Sequence, residues 1–181
     1  MDIGLPLVQG ESIQRIVRRH WASLVPSYLS AAAPTILSLA LAYLDSRYPS
    51  SIPFPELLVI ALIVILTILA GAILYSGFYV YERNLLIFTS LRLFETEQLS
   101  IFNRRLAQLD LSRVQDAAGL RVGFWGTLLN YGSLEIQSAG ETEQFIFNYA
   151  PNPTQLAADA LKAHSDYLSA VSSSAPTPAQ P

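Results

Sequence analysis

LLVIALIVILTILAGAIL, residues 57–74, is apolar on every side of any helix drawn through it. A helix that faces water keeps a polar stripe, so this run does not fit a soluble surface. The stretch without charge is longer still, from Leu57 to Tyr81, bounded by Glu56 and Glu82. At about 1.5 Å per residue it reaches about 36 Å as a helix, enough for a hydrocarbon layer of about 30 Å. An earlier stretch without charge runs from Trp21 to Leu44, between His20 and Asp45. It is softer, carrying Ser23, Ser27, Ser30, Ser38, Pro26 and Pro34. Small residues let helix backbones approach closely in lipid, and Pro34 frees a carbonyl where it interrupts the ladder. The sequence predicts two transmembrane helices, 21–44 and 57–81.

The connection 45–56, DSRYPSSIPFPE, is too short for a domain, and Pro49, Pro53 and Pro55 stop either helix from running on. The two helices therefore form an antiparallel hairpin. Trp21, Tyr43, Tyr48, Phe54, Tyr79 and Tyr81 lie near its ends, where amphipathic rings anchor at headgroup level. A cleaved signal peptide is the alternative for the first block, since Arg18 and Arg19 precede it and Ala40 and Ala42 form an A-x-A. Its apolar run exceeds the usual length of about 7–15 residues, and its polar leader is long. Arg15, Arg18 and Arg19 precede the first span, Arg83 and Arg92 follow the second, and the connection holds only Arg47. The positive-inside rule then puts both termini in the cytoplasm of a multi-pass cell-membrane protein. This gives a cytoplasmic leader 1–20, an extracytoplasmic loop 45–56 and a cytoplasmic domain 82–170.

The chain has 181 residues, 14% of them charged, against roughly a quarter in a soluble domain. It has no Cys, so thiol chemistry and disulfides are excluded. The net charge is −3, with Lys162 the only lysine. Scattered arginines on an acidic balance argue against nucleic acid as a partner.

From residue 84 the pattern becomes short runs of period near two. LLIFTS (85–90) and RLFETEQL (92–99) read as a strand pair, followed by RRLAQLDL (104–111) and SRVQDA (112–117). Residues 133–138 alternate, Ser138-Ala139-Gly140-Glu141 is a turn signal, and Phe145 and Phe147 then share a face. Several short strands with such turns predict a sandwich or small barrel. The last element is a helix, 153–170, with Asn152 as N-cap, Pro153 at N1 and Gln155 at N3. Leu156, Ala157, Ala160, Leu161, His164 and Leu168 form its packing face. The tail 171–181 is expected to be disordered. The fold class is thus α+β, a transmembrane hairpin followed by an antiparallel β barrel or sandwich capped by a C-terminal helix.

Motifs for catalysis are missing: no G-x-S-x-G, no Walker A and no H-E-x-x-H occurs. His20, at the membrane boundary, and His164, on the helix face, read as interfacial or packing residues, because a metal site needs several convergent donors. Glu95 and Glu97 share one strand face; with no cleft visible they read as a solvated face, not an acid–base pair. No catalytic residue, metal or cofactor is expected. Val122-Gly123-Phe124-Trp125-Gly126 reads as a turn packing its aromatics over the barrel end, or else as a loop meeting a partner or the membrane through Phe124 and Trp125.

IFTSLRLFE (87–95), LDLSRVQDA (109–117), GFWGTLLNYGSLEIQSAG (123–140) and PNPTQLAADAL (151–161) resemble, in order, segments of bacterial pleckstrin-homology (PH)-like domains. GESIQRIVRRHW (10–21) resembles the leader of their membrane-anchored, YdbS-like members. The resemblance covers roughly residues 10–170. It implies a PH-like fold more than an activity, since such folds host lipid binding, peptide binding and assembly. The lipid-binding signature of the eukaryotic family places several cations in the first hairpin, where this chain offers Arg92, Glu95 and Glu97. Arg92, Arg104 and Arg105 are the candidate headgroup contacts, because basic residues near an anionic surface gain about 1 kcal/mol each. The expected role is a non-enzymatic, membrane-anchored interaction or scaffold module, partnered by the bilayer and by another protein or a second copy of the chain. An anionic-headgroup sensor and an accessory subunit of a transporter or membrane enzyme are the alternatives.

Overall fold

The computed structural model describes residues 5–48, 55–139 and 144–174. Residues 49–54, half of the connection 45–56, the turn residues Gly140 and Glu141, and residues 175–181 lie outside the described residues, whereas residues 171–174, expected to begin a disordered tail, continue the C-terminal helix. The chain divides into two compact units. The first takes residues up to His20, Arg83–Leu99 and the chain from Asn103 onward; the second takes Trp21–Glu82 with Ser100–Phe102.

In the first unit, one sheet has the order β1-β2-β3-β4: β1 Ile13–Arg18, β2 Leu85–Thr89, β3 Arg92–Ser100 and β4 Asn103–Asp110. The segment expected to be a leader apart from the domain is therefore its edge strand. β1 runs antiparallel to β2, with Ile16 opposite Ile87, Val17 opposite Leu86 and Arg18 opposite Leu85. The long helices are inserted in the β1–β2 connection; they do not precede the domain. The second sheet has the order β5-β6-β7: β5 Val114–Leu120, β6 Tyr131–Ser138 and β7 Phe145–Pro151. The strands expected from period-two patterning appear at their places, the last with Phe145 and Phe147 buried and Ile146 and Asn148 outward.

Alternation sets the core. Leu86, Phe88 and Leu93 of the first sheet meet Leu134, Ile136 and Phe147 of the second. Each such side chain contributes roughly 1.5–3 kcal/mol by leaving water. The other face of β2 and β3, with Leu85, Ile87 and Phe94, packs with Leu5. β2 is consequently buried along its whole length.

α4, Pro153–Ser174, starts where Pro153 fits the first turn, and the Asn152 carbonyl accepts from the Gln155 and Leu156 N–H groups. Leu156, Ala157 and Ala160 face the core as expected, but Leu161 and Leu168 are exposed. Ala163 and Tyr167 take their places. α4 meets β5 where Gly119 has no side chain: a Cβ there would lie 2.3 Å from the Pro153 carbonyl carbon. Between β5 and β6, Gly123–Leu128 forms a one-and-a-half-turn helix, α3, instead of the expected turn.

The second unit holds α1, Val25–Arg47, entered through a 3-10 turn at Trp21–Leu24, and α2, Glu56–Arg83. Both are long and apolar enough to cross a membrane. They close on each other through small residues: a Cβ on Gly77 would fall 2.2 Å from Ser27 Oγ, and Ala31, Ser38 and Ala70 are buried. Hydroxyls within the helices fold back onto carbonyls, Thr35 to Ala31 at 2.8 Å, Thr67 to Ile63 at 2.8 Å and Ser30 to Pro26. Leu29, Ile36, Leu57, Ile65 and Ile68 remain exposed.

Candidate functional site

The inward face of β3 begins apolar and ends charged. Leu93 packs in the core, and two residues on Glu95 follows, directly across from Leu86, with Glu97 beyond it. Glu95 is only 5% exposed. The expected solvated strand face is thus incorrect for this residue, because β3 lies between β2 and β4 and its inward face is covered by the second sheet. Arg19, just past β1, reaches the same place. Its Nη2 lies 3.3 Å from Glu97 Oε1 and 3.7 Å from Glu95 Oε1. Its guanidinium also sits 5.7 Å from the Phe147 ring centroid.

This cluster is incompletely satisfied. Arg19 Nε and Glu95 Oε1 are both buried with no hydrogen-bond partner. Burial pushes the Glu95 carboxyl up to about 7, helped by the charge of Glu97 and opposed by Arg19 and Arg105. Two clefts flank the cluster. One, of about 400 Å³, runs between Glu95, Glu97 and Arg105 on one side and Phe145, Ile146 and Asn148 on the other. The second, of about 460 Å³, is lined by Arg19, Tyr131, Ser133, Asn148 and Tyr149. His20 stacks on Tyr131 at 5.1 Å, and Tyr131 on Tyr149 at 5.8 Å. The His20 N–H donates to the Tyr149 carbonyl at 2.6 Å, and burial lowers the imidazole pKa. His164 places Nδ1 2.6 Å from the Leu111 carbonyl, which fits a packing role with the proton on Nδ1. Among the described residues, no group of His, Asp and Glu is arranged to hold a metal ion.

The three candidate arginines do not converge. Arg92 pairs with Glu11, Nη2 to Oε2 at 2.6 Å, and also donates to the Pro6 carbonyl and to Gln108. Thr89 completes that knot, its hydroxyl 2.6 Å from Glu11 Oε1. The Arg92 guanidinium further covers the Phe94 ring at 5.0 Å. The Arg92 hydrogen bond is the first reason that the Glu11 carboxyl is held down to about 2. Arg92 thus ties the N-terminal segment to the sheet. Arg104 and Arg105 are neighbours on β4 and so point to opposite faces, Arg105 into the groove beside Glu95 and Glu97.

α3 carries the two aromatic candidates outward. Val122, Phe124, Trp125 and Leu128 are 79%, 71%, 60% and 62% exposed, so they do not plug the end of the sheets. Phe124 and Trp125 contact each other edge to face at 5.3 Å. Gly123 opens the helix at φ +79°, a conformation natural to glycine.

A family model of bacterial PH domains matches residues 22–164, more than half of the chain. The chain belongs to the bacterial PH domain family. Two antiparallel sheets closed by one C-terminal helix agree with that assignment. In this bacterial PH domain the matched range includes both long helices and leaves β1 outside it. Among solved structures, the chain is similar to a DUF1696 family protein with a pleckstrin-homology domain from Shewanella loihica PV-4. The identity is 11%, over 48% of this chain and 72% of that one, with a TM-score of 0.35. No curated protein is matched.

Arg19 escaped sequence reasoning as a site residue because it counts there only as a charge before a span. Nothing in the sequence aligns it with Glu95 until β1 joins β2.

Proposed function

We propose that this bacterial PH domain is a non-enzymatic interaction module held at the cytoplasmic face of the cell membrane by α1 and α2. Helix length, the charge-free spans and the closely packed small residues support the hairpin as membrane-spanning. Pairing of β1 with β2 supports an even number of crossings, since one sheet takes in the chain before and after the hairpin. It also counts against signal-peptide cleavage near Ala42. Such a cut would strip away β1, the buried Val17, and Glu11 with its bond to Arg92.

The observation that carries the interaction reading is the apolar face of α3. Four neighbouring large apolar side chains are exposed side by side, and such patches mark contact surfaces. The same patch favours a second reading, contact with lipid headgroups, because Trp and Phe suit the membrane interface. The accessory-subunit reading gains nothing from the spans, 21–44 and 57–81, which hold no Asp, Glu, Lys, Arg or His for a transport path.

Photocrosslinking from benzoylphenylalanine at Leu128, in native membranes, tests the assignment. Adducts with a cytoplasmic protein or with a second copy are the expected result. Lipid adducts alone would favour the headgroup reading, adducts with extracytoplasmic proteins would reverse the orientation, and an absence of adducts would remove α3 as a contact surface.

A further inference from the structure

Among the described residues, β4 and β7 are the terminal strands of their sheets, and both border the groove beside Glu95. A second depression, of about 230 Å³, continues along β4 past the consecutive residues Arg105 to Leu109. Successive side chains of a strand point to opposite faces, so a hollow that touches five in a row reaches the strand's backbone edge. An open edge of unpaired N–H and C=O groups is a template for another strand. Extended peptides use such edges, drawing affinity from main-chain hydrogen bonds and specificity from the side chains that enter pockets.

The floor of this groove is chemically specific. Glu95, all but buried, has an Oε1 with no hydrogen-bond partner, and Arg19 Nη2 stands 3.7 Å from it. Glu97 supplies a second carboxylate beside it, while Ala107 and Phe145 make the walls apolar. A buried acceptor without a donor is a standing cost that an incoming N–H group relieves. Apolar walls around two carboxylates suit a long aliphatic stem with a cationic head.

We propose that this groove binds an extended segment of a partner protein as an added strand on β4, with a lysine or arginine side chain directed to Glu95 and Glu97. Arg105, on the rim, competes for the same carboxylates and so limits which segments enter. The site is separate from α3 and does not depend on what α3 contacts.

The probe is a set of acetylated, amidated, fluorescent heptapeptides of alternating Thr and Val with one central Lys. Binding to the full chain in detergent micelles is read by anisotropy. Replacing the central Lys by norleucine keeps the stem and removes the charge; it should weaken binding about tenfold or more, as close charge pairs in interfaces do. Methylating alternate peptide N–H groups should abolish binding. Glu97→Gln should narrow the gap between the Lys and norleucine peptides, and Arg105→Ala should tighten the Lys peptide. Because the Lys-to-norleucine comparison leaves the protein unchanged, no folding defect can mimic it. Equal binding of the two peptides, tighter binding of a central Glu peptide, or no binding below about 1 mM would overturn the proposal.

Discussion

Glu11 and Glu95 are buried carboxylates that each meet an arginine, yet they respond to pH in opposite directions. Glu11 accepts from Arg92, Thr89 and the Val8 N–H, which together outweigh its burial and hold it near 2. Its folded pKa lies below the ordinary 4.5, so its contribution is full above about 4.5 and is lost as pH falls toward about 2. Glu95 is raised from 4.5 to about 7, so the folded state holds a proton that the unfolded chain gives up. Stability therefore declines as pH rises from about 4.5 to about 7 and stays lower above that. Chemical unfolding across pH should show both effects. Glu11→Gln should cost about 3 kcal/mol at neutral pH, since it leaves Arg92 without its carboxylate, and should flatten the acid limb. Glu95→Gln should flatten the decline between pH 4.5 and 7. A Glu95→Gln profile identical to that of the unmodified chain would show that this carboxylate is solvated after all. Neither environment was legible from residue type. Thr96 and Glu97 beside Glu95 look like an exposed strand, and only the covering sheet makes the difference. Glu11 and Arg92 lie 81 positions apart.

At the scale of elements, periodicity predicted well where one face is apolar and the other polar, as in β7 and the first turns of α4. It failed where burial is sparse. β1 reads IQRIVR and buries only Val17, so an edge strand left no alternation to find. α3 has six residues including two glycines, too short for a helical period to register. α4 drifted from its expected face at Leu161 and Leu168 because its later turns pack through Ala163 and Tyr167 instead. The α4–β5 contact yields a sharp prediction. Gly119→Ala puts a methyl group 2.3 Å from backbone at Pro153, where no side chain can rotate away. Forcing the two elements apart should cost about 1–3 kcal/mol, measured as a lower unfolding midpoint. Gly71, with open space where a Cβ would stand, is the matched control: its change to Ala should be tolerated. Equal loss from both substitutions would mean that the close approach at Gly119 is not what sets the cost.

For the whole molecule, the key fact is that the hairpin interrupts the domain between two paired strands. Arg18 stands opposite Leu85, so residues 19–84 occupy the position of a β-hairpin turn. Cutting out Trp21–Glu82 and joining His20 to Arg83 through Asn-Gly, a sequence suited to tight hairpin turns, should leave a folded domain that no longer sediments with membranes. Dispersed amide resonances together with solubility are the expected outcome. A soluble but unfolded product would show that α1 and α2 are part of the domain's stability, and a folded product still in the membrane pellet would show that the tether lies elsewhere. The arrangement also imposes an order on biosynthesis. β1 leaves the ribosome before either long helix exists, and β2 follows only after both have been made. At about 5–20 residues per second, the first strand waits several seconds with its edge unmatched. It carries Arg15 and Arg18, and charged side chains on an edge strand disfavour pairing with the wrong chain. A nascent chain stalled within either helix cannot close the sheet, so a completed sheet is a record that the intervening segment has been synthesised.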